Sequence, residues 1–167
     1  MRHLTTIGVL PIVLLASLPA SAQMVTITPE QIGQIFCIGS LGNDMAPVEA
    51  LLTPELSTAI EAAYAASDAF EAANPGDKPP MGDGVPWRSW QDYADGCAVT
   101  AGTTEGDLAT VTINYSFAAE PAANYSDMLQ LRPVIVEEGM QPFWRIDDIA
   151  LGEGRTLRQA LTEATLP

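Results

Sequence analysis

In LATVTINYSF, Leu108 to Phe117, apolar and polar residues alternate from Ala109 onward. Ala109, Val111, Ile113, Tyr115 and Phe117 take one side, and Thr110, Thr112, Asn114 and Ser116 take the other. Strand side chains point to opposite faces in turn, so a period of two predicts a half-buried strand. One face must lie on a core and the other toward solvent, which is the habit of antiparallel sheets. Further strands are expected around it. CAVTA, from Cys97, is a short one. YSDMLQLRPVIVEEG, Tyr125 to Gly139, is another, interrupted by Pro133, whose missing amide hydrogen implies an edge or a bulge. FWRIDDIAL, Phe143 to Leu151, is the last. Unbroken alternation there puts Trp144, Ile146, Asp148 and Ala150 on one face. Phe143, Arg145, Asp147, Ile149 and Leu151 then share the other.

The first half of the chain reads as helical. In TPEQIGQIFCIGSL, Thr28 is placed as an N-cap, Pro29 opens the helix and Gln31 completes a capping box, predicting a helix over about 29–40. PVEALL predicts a further turn. In TPELSTAIEAAYAASDAFEAA, Thr53 caps and Pro54 opens, and Leu56, Ile60, Ala63, Ser67 and Phe70 form one stripe. Six of residues 59 to 69 are alanine, which suits close packing on a sheet. Thr156 and Gln159 predict a second capping box before a short tail helix bearing Leu157 and Leu161. Helices first and strands after, without βαβ alternation, imply an α+β fold: N-terminal helices on a curved antiparallel sheet, and a short C-terminal helix.

The N-terminus has the order of a secretory leader. Arg2 and His3 precede an uncharged apolar run, and ASA at Ala20 to Ala22 offers a small-residue exit. Residues 1–22 are therefore expected to be a signal peptide, leaving 23–167 as a single domain, periplasmic or secreted. Cleavage would remove the chain's one histidine and leave 6 Lys and Arg against 21 Asp and Glu. That balance argues against nucleic-acid and anionic-membrane partners, both of which need positive charge. Charged residues total 17%, below the roughly 25% of an average chain, so the acidity comes from missing bases. Cys37 and Cys97 are the only cysteines, and an exported compartment favours their oxidation to a disulfide.

The absence of histidine from the mature chain excludes Ser-His-Asp and Cys-His catalysis and histidine metal sites. No G-x-S-x-G, P-loop, G-x-G-x-x-G or EF-hand pattern is present. No cofactor is implied. Carboxylate chemistry stays open. Asp147 or Asp148, enclosed by apolar surface and joined by a tyrosine such as Tyr115, would suit acid–base work on a small molecule. The alternative is a strand aspartate paired with Arg145 or Arg132, or simply solvated.

GDKPPMGDGVPWRSWQDYADGC, Gly76 to Cys97, is long for a structureless connection in a compact domain. Trp87, Trp90 and Tyr93 stand three apart, so one helical turn would stack them, with Arg88 as a polar anchor. Two readings follow. The aromatics are a recognition surface or lid for an apolar or sugar-like ligand, or they plug a core while Cys97 ties the loop to Cys37. Asp77, Asp83, Asp92 and Asp95 offer oxygen ligands but at no known calcium-loop spacing.

At FWRIDDIAL the layout resembles the nuclear-transport-factor-2-like superfamily, and within it the exported bacterial branch. The resemblance rests on N-terminal helices followed by a curved sheet whose late strand reads Trp-Arg-Ile-Asp-Asp-Ile, over roughly residues 28 to 151. It implies a sheet curled into a cone whose mouth holds a ligand pocket. The long loop at 74–96 and the tail helix depart from the common pattern. Three functions follow: a non-enzymatic binding module for a small molecule or protein; an isomerase- or hydrolase-like enzyme using the aspartate–tyrosine set; or an immunity- or inhibitor-type protein for a basic partner.

Overall fold

The structure is a computed structural model and describes residues 26–90, 92–135 and 141–166. The expected leader with its cleavage after Ala22, and the tail of the expected third strand at 136–139, lie outside the described residues. Helix α1 spans Pro29–Gly42, α2 Ala46–Glu49 and α3 Pro54–Ala73; strands β1 Gly96–Glu105, β2 Leu108–Ser116, β3 Tyr125–Val134 and β4 Phe143–Ala150 follow, and α4 spans Leu157–Ala164. The strands form one antiparallel meander in the order β1-β2-β3-β4. The fold is α+β as expected, and the curved sheet is open rather than closed.

Local chemistry starts the helices where the sequence places them. Both capping boxes form: the Thr28 hydroxyl accepts from the Gln31 amide, and the Thr156 hydroxyl from the Gln159 amide. Thr53 caps α3 by accepting from the Leu56 amide at 3.2 Å. Their apolar faces then meet the sheet. Ile32, Phe36, Leu56, Leu157 and Leu161 share one buried core with Ala109, Val111, Ile113, Leu129 and Leu131 of the sheet. Gly33 is where α1 comes closest, since an added Cβ would stand 2.6 Å from a Val111 methyl. On the outer face, Asn114 donates to the Ala98 carbonyl and to Thr100 and accepts from Ser126. The alternation read in β2 is thus the division between core and polar surface.

Four expectations need correction. The alanine-rich α3 packs chiefly on α4 rather than on the sheet, because α4 lies along it. Phe70, at the end of its stripe, emerges at the surface. Strand β1 runs past CAVTA to Glu105, its far half exposed and held by pairing to β2 rather than by burial. The alternation in β4 is also broken. Gln130 pairs with Asp148 while Leu131 pairs with Ile146, so Asp147 is the extra residue of a β-bulge. The bulge shifts the phase by one, and Ile146 and Ile149 both end fully buried although alternation assigns them to opposite faces. Pro133 lies beyond the β2 partners and pairs only with Trp144 of β4, so its missing donor costs no ladder bond on the β2 side.

The outer edge of β4 is closed by the chain before α3. Thr53 donates to the Ile146 carbonyl and Ile146 to the Leu51 carbonyl, each at 2.8 Å. The Cys37–Cys97 disulfide joins α1 to the start of β1 and thereby to the end of the long loop. No helix among the described residues is long and apolar enough to cross a membrane.

Candidate functional site

The described residues of the loop from Asn74 to Asp95 carry little regular structure but are tied down at several points. The Met81 amide donates to the Ser67 hydroxyl of α3 at 2.9 Å, and the Met81 side chain is buried in the core. Arg88 donates through Nη1 to the Ser40 carbonyl at 3.2 Å, which fixes the loop to the last turn of α1. The Tyr125 hydroxyl donates to the Trp90 carbonyl at 3.2 Å. Between these pins, Ser89 gives its amide to Asp127 Oδ2 at 3.0 Å and its hydroxyl to Asp127 Oδ1. The Gly152 amide donates in turn to the Ser89 hydroxyl, joining the turn after β4 to the same point.

Asp127 is almost fully buried. Burial is the main influence on its carboxyl and pushes its pKa up; the two Ser89 bonds and the nearby Arg88 charge oppose it. Tyr125 is pushed up to about 12, again chiefly by burial. Tyr115, 1% exposed, donates to the Ser40 hydroxyl at 3.3 Å and stacks on Tyr125 with ring centres 4.7 Å apart. Its hydroxyl is pushed well above the usual tyrosine range by burial first. Ser40, Arg88, Ser89, Tyr115, Tyr125 and Asp127 therefore form one polar cluster beneath the loop.

The expected aromatic turn does not form, because residues 85–90 are irregular rather than helical. Trp87 packs against the core, while Trp90 and Tyr93 are 59% and 58% exposed. The four residues singled out in sequence are nevertheless brought together: Trp87, Arg88, Trp90 and Tyr93 line a cleft of about 280 Å³ with Asn43 and Asp83. The Arg88 guanidinium lies 5.3 Å from the Tyr93 ring centre. A larger cleft of about 840 Å³ opens beside it. It is lined by loop residues such as Met81, Pro86 and Trp90, by Tyr125, and by residues of the 151–164 segment. The turn that enters it carries Glu153 and Gly154 at φ of 61° and 73°, an uncommon conformation for the glutamate.

The carboxylates considered for acid–base chemistry do other work. Asp147 Oδ1 accepts from Arg158 Nη2 at 2.6 Å and from the Thr53 hydroxyl at 3.1 Å, and Oδ2 accepts from Arg132 Nε at 3.2 Å. Arg158 Nε donates to the Asp147 carbonyl at 2.7 Å. Asp148 Oδ1 accepts from the amides of Ile149 and Arg158, holding the first turn of α4. Its position suits the positive end of the helix. Tyr115 bonds to Ser40 instead, so the tyrosine and the two aspartates serve separate clusters. Arg145 donates to the Trp144 carbonyl.

Asp83 pairs with Lys78, Asp92 accepts from the Trp90 indole at 2.9 Å, and Asp95 accepts from the Ala118 amide at 2.6 Å. Among the described residues no three carboxylate, thiolate or imidazole groups are placed to hold a metal ion.

Ser40, Ser89, Tyr125 and Asp127 were not identifiable as a group from the sequence. One signal was present. Asp127 is in phase with Leu129 and Leu131, and an aspartate on the apolar face of a strand needs a buried partner. No family model, curated protein or solved structure matches this chain.

Proposed function

We propose that this protein is an exported binding module whose large cleft takes a small ligand with an apolar or ring-shaped face. One observation carries the reading. The loop is pinned at Arg88, at Ser89 and at the Trp90 carbonyl, yet the Trp90 side chain at the cleft edge stays 59% exposed. Exposed tryptophan on a fixed backbone is a prepared contact, because little ordering entropy is left to lose on binding. A cleft of about 840 Å³ lies within the range of small-molecule sites.

Export is supported by the leader-like order of residues 1–22 and by the Cys37–Cys97 bridge. Helices ahead of an antiparallel sheet, with a cleft beside the strands, support kinship with the nuclear-transport-factor-2-like superfamily. Asp147 and Asp148 hold α4 to the sheet, which favours binding over catalysis at those carboxylates.

Native mass spectrometry of the protein from its host's exported fraction, beside a denatured control, tests this. A native mass above the denatured mass is expected, and Trp90→Ala should lose the excess without losing thermal stability. A bare monomer from the wild type would count against the reading.

A further inference from the structure

We infer that the ligand of the large cleft is a short peptide with free ends and an apolar side chain. The inference rests on the binding-module reading and specifies its ligand. The cleft is lined by two ion pairs from two separate segments. Lys78 pairs with Asp83 on the loop; Arg155 pairs with Glu163 at 2.6 Å on the 152–164 segment. Every side chain of the two pairs is more than half exposed. Exposed pairs contribute little to stability, so exchanging an internal partner for a ligand's ion costs little.

The charge pattern selects the class. The loop presents Lys78, Asp83 and Arg88 to the cleft, and the 151–164 segment presents Glu153, Arg155 and Glu163, so both signs stand on each side. A ligand with a single charge would find its complement beside a repelling neighbour. A peptide carries an ammonium and a carboxylate at opposite ends and can place its carboxylate on Arg155 of one segment and its ammonium on Asp83 of the other. The net charge of −14 disfavours a ligand that is itself an anion, whereas a zwitterion feels no net repulsion. Pro79, Pro86, Trp90 and Leu151 line the same cleft and supply apolar surface for a side chain. A tripeptide spans roughly 10 Å extended, a length a site of this volume accommodates.

Isothermal titration calorimetry with Ala-Phe-Ala, its N-acetylated form and its C-amidated form tests the inference on the intact protein. The free tripeptide should bind, and blocking either end should weaken binding roughly tenfold, the scale of one lost charge-assisted bond. Arg155→Ala should weaken the free peptide by a similar factor and make amidation indifferent, since arginine and carboxylate would no longer be coupled. Equal binding of free and blocked peptides would overturn recognition of the ends while leaving an apolar cleft. No heat from any peptide, with a non-peptide adduct in the native spectrum, would overturn the peptide class alone. No heat and no adduct would overturn both this inference and the binding-module reading.

Discussion

Ser89 donates both its amide and its hydroxyl hydrogen to the carboxylate of Asp127, so one side chain of β3 holds the backbone of the long loop. The carboxylate is buried, and removing it takes the partner from two part-buried donors. Asp127→Ala should lower unfolding free energy by about 3 kcal/mol, and Ser89→Ala by about 1–2 kcal/mol, on the scale of buried hydrogen bonds. Urea unfolding of the two variants gives these values. Hydrogen exchange should quicken at 84–90 and 152–154 before it quickens in β2. A uniform rise across the sheet would show that Asp127 supports the core rather than the loop.

The same burial sets a pH dependence. Burial raises the Asp127 pKa in the folded protein above its unfolded value. The ionised carboxylate is therefore disfavoured by folding, so its stability contribution is full below about pH 4 and falls as pH rises through the folded pKa. The groups facing Asp127 are Arg88, Tyr115 and Tyr125; both tyrosines titrate far above this window. The stability of wild type minus that of Asp127→Asn should shrink as pH rises above about 4. Urea midpoints of both proteins across that range measure it. A difference that grows with pH would mean that Ser89 and Arg88 outweigh desolvation.

The Cys37–Cys97 bridge closes a span with a sequence separation of 60 residues. The chain-entropy relation for such a loop predicts about 4 kcal/mol, drawn from the unfolded state. The double variant Cys37→Ala, Cys97→Ala should show this loss in urea with its far-ultraviolet circular dichroism unchanged in buffer. A loss below about 1 kcal/mol would indicate that the unfolded chain already keeps α1 near β1.

What the sequence disclosed was local, and what it withheld depends on pairing between distant segments. The two capping boxes and the period of β2 are set within a few residues, and each appears where read. The bulge at Asp147 was invisible, because a one-residue insertion shows only against the register of β3. β1 looked short because its far half is polar on both faces and is held by its partner strand. At the site, Trp87, Arg88, Trp90 and Tyr93 were legible as a concentration of aromatic residues around a cation, but their geometry was not. That geometry comes from Asp127, 38 residues from Ser89 in sequence.

Arg158 is the clasp of the tail helix. Its guanidinium spans the Asp147 carbonyl at 2.7 Å and the Asp147 carboxylate at 2.6 Å, a fork that lysine cannot reproduce. Arg158→Lys should cost about 1–2 kcal/mol and Arg158→Ala somewhat more, the carboxylate then keeping Arg132 and Thr53. Thermal unfolding measures both. Equal Tm values for wild type and Arg158→Ala would show that apolar contacts through Leu157 and Leu161 hold α4 without the fork.

Trp87 and Trp90 separate the structural and recognition roles of the loop. Trp87 is half-buried against the core, so Trp87→Ala removes packed apolar surface and should cost about 2–3 kcal/mol. Trp90 is 59% exposed, and its carbonyl, which Tyr125 needs, survives substitution. Trp90→Ala should therefore stay within about 0.5 kcal/mol of wild type. Paired urea curves for the two variants decide the matter. If Trp90→Ala is as destabilising as Trp87→Ala, Trp90 acts as a plug. Its exposure then ceases to support a binding role. If the costs differ as expected, the loop has one tryptophan that holds the fold and another that folding leaves available.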